Sequence, residues 1–238
     1  MSFRRLMTVG VLAVSAVVLP ALPGSAAPST GPGCTYPTNS PRLTITASPS
    51  TITAGNFSTV FGKFTVNGCA IKNAVIRIQR RVVVNGRATG HWANVKSSTT
   101  SSKGIYAAAY FATRNVRVRA HFSGTNGFPT TNTFSVPLNV HTAITESITK
   151  RSGCRLTIAG HVNPVKVNRV VRIQKRGPRG SFHGWTTVAK ATTNRHGHYS
   201  VTKTFVCGRG YNLSAYIAKD SINLSGRSAT LFGVKPRH

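Results

Sequence analysis

The sequence has almost no acidic residues. Only two of its 238 residues, Glu146 and Asp220, carry a side-chain carboxylate, against 31 Lys and Arg. A glycosidase needs a pair of carboxylates flanking one bond, whereas these two belong to separate elements, the first strand predicted in the second half of the chain and a later loop. Carboxylates are also the usual ligands of hard divalent cations. Their scarcity argues against both kinds of site.

Motifs for nucleophilic catalysis and for nucleotide binding are also missing. The chain contains no GxSxG, no SxxK with a KTG partner, no P-loop and no GxGxxG, each of which places a specific group for chemistry. A Ser or Cys hydrolase needs a His that is oriented by a third group, and no such set is evident. We therefore predict a protein that is not an enzyme and holds no cofactor.

Helical periodicity and aromatic residues are scarce as well. After the N-terminal apolar run, no window has the apolar stripe of a helix, so no recognition helix is expected in a DNA major groove. Aromatic residues make up 8% of the chain, which is few for a surface that stacks single-stranded bases. Sequence-specific recognition is therefore not expected, and charge alone would support non-specific binding of nucleic acid.

Cysteines number four, with no CxxC and no Cys/His cluster, so a metal site is not expected. In an exported chain they predict two disulfides, for which three connectivities exist. Cys154 and Cys207 fall in the same half of the chain, and we pair them. The remaining pair, Cys34 and Cys69, would attach the N-terminal arm to the first domain.

Histidines raise a separate metal question, because His196 and His198 stand one residue apart and His183 precedes them. They fall in or beside glycine-containing turn segments, without carboxylates and among positive charges. We interpret them as solvated loop histidines.

The N-terminus has the features of a secretory signal peptide. Arg4 and Arg5 precede an apolar run from Leu6 to Leu22, and small residues follow at positions 23–27. The alternative is an uncleaved anchor, but the run is short and Pro20 interrupts it. We predict a signal peptide at 1–27, a Pro/Gly/Ser-rich arm at 28–41, and secretion with no transmembrane segment after cleavage.

Positive charge is abundant and evenly spread. Residues 28–140 carry 12 Lys and Arg and no acid, and residues 141–238 carry 17 with the two acids. Ordinary globular surfaces mix both signs. A surface of one sign attracts polyanions such as wall teichoic acid, acidic polysaccharide, nucleic acid or anionic lipid. The alternative is that the charge serves only solubility.

An internal repeat sets the architecture. Val75–Arg81 returns as Val170–Arg176, and each copy is followed by a Trp and a Gly-x-Tyr, with 14 residues from Trp92 to Tyr106 and again from Trp185 to Tyr199. Short β-branched segments separated by turn residues such as Asn-Gly occur in both copies. We predict an all-β fold of two tandem seven-stranded Ig-like β-sandwiches, at 42–140 and 141–238.

Period-2 alternation assigns inward-facing core positions in both domains. Those positions are Ile76, Ile78, Val116 and Val118, with Val171, Ile173, Tyr211 and Leu213 as their counterparts. We interpret the two Trp residues as core packing, with ligand stacking as the alternative. The two Tyr residues are expected to pack with a tethered hydroxyl.

The repeat also resembles a known family. Gly62, Ile76-Arg77-Ile78-Gln79, Trp92, Gly104-x-Tyr106 and Val118–Phe122 together are similar to the Ig-like β-sandwich repeats of secreted actinobacterial proteins. The resemblance covers both copies, at about 42–140 and 141–235. It implies the fold, and it implies roles as spacers, adhesion modules or surface-binding appendages. This chain differs in being nearly free of acids and in lacking a catalytic partner domain.

Basic residues on predicted neighbouring strands suggest a binding surface. Arg77, Arg117 and Arg119 occupy outward positions that would form one stripe, and Arg172 occupies the matching position in domain 2. Guanidinium groups suit phosphate and carboxylate. The other candidate residues of domain 2 are Lys175, Arg176, Arg179, Arg195 and Arg209. The alternative is a uniformly solvated surface without a preferred site.

Together these features predict a secreted, basic binding protein that associates with anionic polymers of the cell envelope or extracellular matrix and is retained on the wall by charge. One alternative is a cationic antimicrobial or membrane-active effector, which would need an amphipathic inserting element. Another is a protein-binding module, such as an inhibitor or an adhesion domain.

Overall fold

The computed structural model describes residues 28–30, 41–125, 127–177 and 184–236. Regular structure in these ranges is β-strand throughout, which confirms the predicted all-β class. A search of the same residues for a helix of the length and apolarity needed to cross a bilayer finds none. The predicted signal peptide and most of the predicted arm lie outside the described residues.

The first half of the chain forms two facing sheets, here called domain 1. Its strands are β1 (Ser29–Thr30), β2 (Arg42–Leu43), β3 (Thr46–Ser48), β4 (Thr51–Thr53), β5 (Phe57–Val66), β6 (Cys69–Lys72), β7 (Val75–Val84), β8 (Arg87–Thr99), β9 (Ile105–Phe111), β10 (Val116–Phe122), β11 (Thr131–Asn132) and β12 (Val136–His141). In one sheet β5 is central, with β2 and β3 on one edge and β6 and β9 on the other. The other sheet has the order β4-β12-β10-β7-β8, in which β4 and β12 are parallel.

The second half repeats this arrangement as domain 2. Its strands are β13 (Ala143–Ile144), β14 (Ser147–Ser152), β15 (Arg155–Asn163), β16 (Val170–Arg176), β17 (Trp185–Thr192), β18 (His198–Thr204), β19 (Tyr211–Ile217), β20 (Gly226–Arg227) and β21 (Leu231–Val234). One sheet is built around β15, which pairs with β13, β14 and β18. The other has the order β17-β16-β19, with β20 and β21 on the far edge of β19. The two tandem β-sandwiches predicted from the repeat are therefore confirmed.

Alternating burial along the strands gives each domain its own apolar core, as expected for sheets with one solvated face. The predicted inward-facing residues are all buried: Ile76, Ile78, Val116 and Val118 in one core, and Val171, Ile173, Tyr211 and Leu213 in the other. The predicted Asn85-Gly86 turn is also present, with positive φ at both residues as a two-residue hairpin turn requires.

A glycine–tyrosine contact recurs in both domains and explains the repeat signature. The Tyr106 hydroxyl donates a hydrogen bond to the Thr44 carbonyl, and the Tyr199 hydroxyl donates to the Thr145 carbonyl at 2.5 Å. A Cβ added at Gly62 would overlap both that carbonyl and the phenol, and Gly160 is in the same position. The predicted tethered hydroxyls are therefore confirmed, and they link β9 to the residue after β2 in domain 1 and β18 to the residue after β13 in domain 2.

The disulfide Cys154–Cys207 is confirmed, with a Cα–Cα distance of 5.0 Å. It joins the residue before β15 to the loop after β18 and so connects two paired strands at one end of domain 2. The other predicted bridge, Cys34–Cys69, involves Cys34, which lies outside the described residues and stays a prediction.

A loop of domain 2 connects the two sandwiches. The Ser221 carbonyl accepts a hydrogen bond from the Asn85 amide at 2.8 Å, and the Ile222 carbonyl accepts one from the Asn115 amide at 2.8 Å. The Asn223 side chain is 1% exposed and donates to the Thr113 carbonyl at 2.9 Å. Backbone and side-chain hydrogen bonds therefore attach this loop of domain 2 to the turns at one end of domain 1.

Candidate polyanion interface

Four arginines share the outer face of the β4-β12-β10-β7-β8 sheet of domain 1. Strand pairing places Arg117 opposite Arg81, and Arg119 opposite Gln79. Arg77 lies opposite His121 on the same pair of strands, so it is a diagonal neighbour of Arg119. The structure thus brings together the predicted residues Arg77, Arg117 and Arg119 and adds Arg81. We call these four residues the arginine face.

The Arg81–Arg117 pair is unusual because like charges directly opposite on a sheet destabilise it. The described part of domain 1 contains no carboxylate side chain to neutralise them, since both acids of the chain lie in its second half. Lys96 on the neighbouring strand β8 is also exposed and lies beside Arg77 in an open surface groove. Positive charge therefore accumulates here, and a bound anion would relieve it.

Neutral acceptors hold the guanidinium groups in place. Arg117 donates through Nε to Ser135 Oγ at 2.9 Å and through Nη2 to the Ser135 carbonyl at 3.1 Å. Arg77 donates through Nη1 to Ser123 Oγ at 2.9 Å. A guanidinium has five N–H donors, so these bonds orient each group and leave most of its donors for a ligand.

Trp92 lies on this face and not in the core, so the predicted core role is wrong. The guanidinium carbon of Arg119 is 4.4 Å from the Trp92 ring centroid, and that of Arg81 is 5.6 Å away. Arg119 also donates through Nε to Gln79 Oε1 at 2.8 Å. Cation–π contact explains the placement, because the half-buried indole is covered by guanidinium groups instead of apolar side chains. Desolvation, with a smaller contribution from the Arg81 charge, lowers the pKa of Arg119.

Domain 2 has a similar cluster of Trp, Arg and Gln, but its arginine comes from a different strand. The guanidinium carbon of Arg227 on β20 is 4.4 Å from the Trp185 ring centroid and 5.2 Å from that of Tyr216. Arg227 also donates through Nη2 to Gln174 Oε1 at 2.8 Å. Desolvation lowers the pKa of Arg227 despite an opposing effect of Tyr216. Trp185 is therefore also outside the core, contrary to its predicted role.

Those remaining predicted residues of domain 2 that the structure describes do not converge on one site. Arg172 is exposed on β16, opposite Lys190 and Tyr216, and Lys175 and Arg176 end that strand. Arg195 precedes β18 and Arg209 follows it, so the length of the strand separates them by about 20 Å. Arg179 lies outside the described residues. Over residues 141–177 and 184–236, this domain presents distributed cations and no counterpart of the arginine face.

Asp220 is used inside the protein, at the domain junction. Its carboxylate accepts hydrogen bonds from Lys166 Nζ and from the Ile222 and Asn223 amides at 2.9 and 2.8 Å. Burial alone would raise its pKa, but these bonds together with the Lys166 charge outweigh burial and lower the pKa. Lys166, only 8% exposed, also donates to Asn223 Oδ1 at 2.8 Å.

Glu146 is also internal. One carboxylate oxygen accepts bonds from the Ala215 amide at 2.7 Å and the Ser228 hydroxyl at 2.8 Å. The other oxygen is buried without a hydrogen-bond partner among the described residues. Burial raises the pKa of Glu146, and the two hydrogen bonds oppose that rise. Neither acid is therefore available to offset the positive charge of the arginine face.

The histidines do not assemble a metal site in the described ranges, where no group of three or more potential ligands is found. His161 and His198 face each other across β15 and β18, with ring centroids 4.9 Å apart. His196 is in the turn before β18, and His183 lies outside the described residues. Because His183 is not described, the interpretation of the three histidines as solvated loop residues stays a prediction.

Sequence reasoning missed several residues of this surface, although some signals were present. Arg81 and Gln79 have the same parity as Arg77, so alternation alone would have placed them on its face. The Trp positions were harder to predict, because the pairing of β7 with β8 contains two register shifts, between Ile78 and Gln79 and between Arg80 and Val82, and the extra residues lie on β8. A β-bulge changes which face later residues occupy, and nothing in the composition signals it. Arg227 comes from a two-residue strand that the sequence pattern does not predict.

Comparison with known proteins adds no functional assignment. No family model and no curated protein matches the chain. It aligns with tandem repeats from the extending region of a large adhesion protein at 15% identity, over 86% of this chain and 50% of that one, with a TM-score of 0.33. It aligns with the E. coli alpha-2-macroglobulin at 12% identity, over 87% and 15%, with a TM-score of 0.28. A membrane-anchored protein of Corynebacterium diphtheriae aligns at 12% identity, over 82% and 60%, with a TM-score of 0.24.

The chain spans half of the adhesion-protein structure. All three TM-scores are below 0.5, so we draw no conclusion from these proteins. The tandem fold is established by the strand pairing itself, and the resemblance to actinobacterial repeats remains a prediction.

Proposed function

We propose that this is a secreted, non-enzymatic protein that associates with anionic polymers of the cell envelope or extracellular matrix. The candidates are wall teichoic acid, acidic polysaccharide and extracellular DNA. We also propose that the two domains span residues 42–140 and 141–238. We propose further that both belong to the family of Ig-like repeats found in secreted actinobacterial proteins. Export rests on the N-terminal signal predicted from the sequence.

One observation carries the proposal: four arginines share one face of a rigid sheet, and two of them face each other directly with no carboxylate nearby. Such a pair is unfavourable in the free protein and becomes favourable when a polyanion binds across it. The guanidinium groups are already oriented by neutral acceptors, which reduces the entropy lost on binding.

Repeating phosphates suit this surface better than a single small anion. The arginines lie at several positions along the β7–β10 pair, which rises about 3.4 Å per residue. A flexible polymer can bring successive phosphates or carboxylates to successive guanidinium groups. The distributed cations of domain 2 would add affinity without specificity, and binding would weaken steeply with salt.

The test compares two variants that lose equal charge. Arg77→Gln with Arg117→Gln removes two members of the arginine face. Arg155→Gln with Lys203→Gln removes two exposed cations from the first sheet of domain 2. Binding to teichoic acid, duplex DNA and a neutral glycan is measured by titration over a salt series, and retained thermal unfolding shows that both variants fold.

We expect the first variant to bind both polyanions about tenfold more weakly, as two lost charge-assisted contacts imply. The control should change by about twofold or less, and the neutral glycan should not bind. Equal losses in both variants would mean that only net charge matters. Absence of polyanion binding at physiological salt would refute the proposal.

A further inference from the structure

The opposite side of domain 1 carries an exposed apolar face. Phe57, Phe61, Ile105 and Phe111 lie on the outer side of the β5–β9 pair and are 53%, 37%, 46% and 63% exposed. Strand pairing places Phe57 opposite Phe111, with ring centroids 5.7 Å apart. Between these residues the face holds mainly Ala107 and Ala109. We call the four exposed residues the phenylalanine face.

Domain 2 shows that the fold does not require this apolar surface. The pair equivalent to Phe57–Phe111 is Arg155–Thr204, and the residue equivalent to Phe61 is Ala159, opposite Ser200. Thr157 and Thr202 between them are hydrogen-bonded at 2.9 Å. The same strands with the same register thus carry a polar outer face in domain 2. A contiguous exposed apolar face on only one domain points to an interaction site.

Basic side chains lie next to the phenylalanine face, on the same outer side of the sheet and beyond Ile105. Lys63 lies on the same side of β5 and directly opposite Ile105. Arg42 lies opposite Thr65, two residues further along that side, and Lys72 is on the same side of β6. Lys103 is exposed in the turn before β9. One outer face therefore combines aromatic and aliphatic side chains at one end with basic side chains at the other.

We infer that this face attaches domain 1 to an anionic lipid bilayer. Apolar side chains that enter the acyl boundary next to lysines and arginines that reach lipid phosphates are the combination that binds interfacially. Charge complementarity selects the anionic surface, because the cations Lys63, Lys72 and Arg42 have no carboxylate near them in the described part of domain 1.

Other occupants fit this face less well. A glycan would need several side-chain hydrogen-bond partners around the rings. Here the neighbours across the strands are alanines and three hydroxyl side chains, those of Thr46, Ser48 and Thr59, with no amide or carboxylate among them. A second copy of the chain would bring together two proteins that each carry 29 Lys and Arg against two acids over residues 28–238, a net charge of +27, and these repel each other. The phenylalanine face and the arginine face are on opposite sheets of one sandwich, so this inference does not depend on the proposed polymer binding.

The mode of attachment is peripheral. The face is part of a sheet whose other side is the domain core, so it can lie on a bilayer but cannot unfold into it without loss of that core. Binding without release of vesicle contents is therefore expected. This differs from the membrane-disrupting effector considered from the sequence, which would need a separate inserting element.

The experiment uses the full chain after signal removal and co-sedimentation with vesicles of phosphatidylglycerol and phosphatidylcholine, or of phosphatidylcholine alone. The test variant is Phe57→Ser with Phe111→Ser. Its matched control is Phe134→Ser with Phe232→Ser, which removes two phenylalanines that are 97% and 73% exposed elsewhere. If the test variant is poorly folded by thermal unfolding, Lys63→Gln with Lys72→Gln tests the basic end of the same face.

The chain should bind the anionic vesicles, and part of this binding should survive high salt of about 0.5 M, where surface charge is screened. The Phe57/Phe111 variant should partition at least about tenfold more weakly and lose the salt-resistant part. The lysine variant should bind more weakly at low salt. The Phe134/Phe232 control, and the Arg77/Arg117 variant at high salt, should partition as the unmodified protein does.

Three results would overturn the inference. One is equal partitioning of the Phe57/Phe111 variant and the unmodified protein. Another is equal binding to vesicles with and without phosphatidylglycerol. The third is a dimer in sedimentation velocity that the Phe57/Phe111 variant dissociates, since a second copy would then be the occupant. A failure of binding in the teichoic acid and DNA titrations would leave these outcomes unaffected.

Discussion

The two domains share an interior and differ on their surfaces. Both have a buried β-sandwich core, a glycine that leaves room for a tyrosine hydroxyl to reach a backbone carbonyl, and a Trp covered by an arginine that is hydrogen-bonded to a Gln. Domain 1 has an arginine face on one sheet and a phenylalanine face on the other. Domain 2 has Arg155, Ala159 and Thr204 at the positions of the three phenylalanines and spreads its cations over several strands and turns.

This difference shows which features the fold requires. A feature present in both domains, such as Tyr106 and Tyr199, meets a need of packing. A feature present in one, such as the Phe57–Phe111 pair, has no equivalent need in the other sandwich of the same topology. The single-domain features are therefore the better candidates for function. The Trp–Arg–Gln cluster belongs to the first class, although its arginine comes from β10 in one domain and β20 in the other.

The largest effect is expected at the junction that joins the two domains. Asp220→Asn would leave Lys166, which is 8% exposed, as a buried cation without its carboxylate. Breaking such a pair costs about 3–5 kcal/mol, so we expect a loss of this size in the free energy of unfolding at neutral pH. Denaturant unfolding measures it.

The same variant has a defined pH dependence. Because the folded protein holds the pKa of Asp220 below its ordinary value, its stabilisation is present above an ordinary Asp pKa of about 4 and is lost as the pH falls through the folded pKa. The difference between the variant and the unmodified protein should therefore shrink in acid. Arg169→Gln is the control, because Arg169 is 3.9 Å from the carboxylate and half-exposed, and it should cost under about 1 kcal/mol. Equal, small losses in both variants would argue against a structural junction.

A smaller and equal effect is expected from the two tethered tyrosines. Tyr106→Phe and Tyr199→Phe each remove one hydrogen bond to a strand carbonyl and retain the ring. Each should lower the free energy of unfolding by about 1 kcal/mol. Thermal and denaturant unfolding of both variants would check this. If the two losses in the free energy of unfolding differ by several-fold, the tyrosine hydrogen bond does not contribute equally to the two domains.

The smallest effect concerns Glu146, which has no counterpart in domain 1. Burial raises its pKa in the folded protein, so the folded state holds its proton more tightly than the unfolded state. Glu146 then lowers stability progressively as the pH rises above its ordinary pKa of about 4.3. Glu146→Gln can still accept the Ala215 and Ser228 hydrogen bonds, so the variant should be slightly more stable than the unmodified protein at neutral pH.

That gain should vanish near pH 4, because Glu146 is then largely protonated in both states. Urea unfolding at the two pH values measures the difference. The measured quantity is the stability of the variant minus that of the unmodified protein. If this difference is more negative at neutral pH than in acid, the pKa of Glu146 is not raised in the folded state.

The strands, the core residues and one turn were largely predictable from the sequence, because they follow from local rules. Alternation placed Ile76, Ile78, Val171 and Ile173 in the cores, and the Asn85-Gly86 dipeptide marked its hairpin. The disulfide Cys154–Cys207 followed from the division of the chain into two repeats.

The surface was less predictable, because it depends on register and on contacts between distant segments. The Trp residues were misplaced because register shifts within hairpins decide the face of a strand, and composition does not reveal them. The role of Asp220 depends on Lys166, which is 54 residues away in sequence. The phenylalanine face needed both the pairing of β5 with β9 and the measured exposure, neither of which a linear pattern supplies.

The salt dependence of polymer binding tests the central claim most directly. The slope of log affinity against log salt for duplex DNA reports the number of phosphates contacted, at close to one unit per contact. For Arg77→Gln with Arg117→Gln we predict a slope smaller by about two units than that of the unmodified protein. For Arg155→Gln with Lys203→Gln we predict little change. Identical slopes for both variants would contradict a discrete arginine face on domain 1.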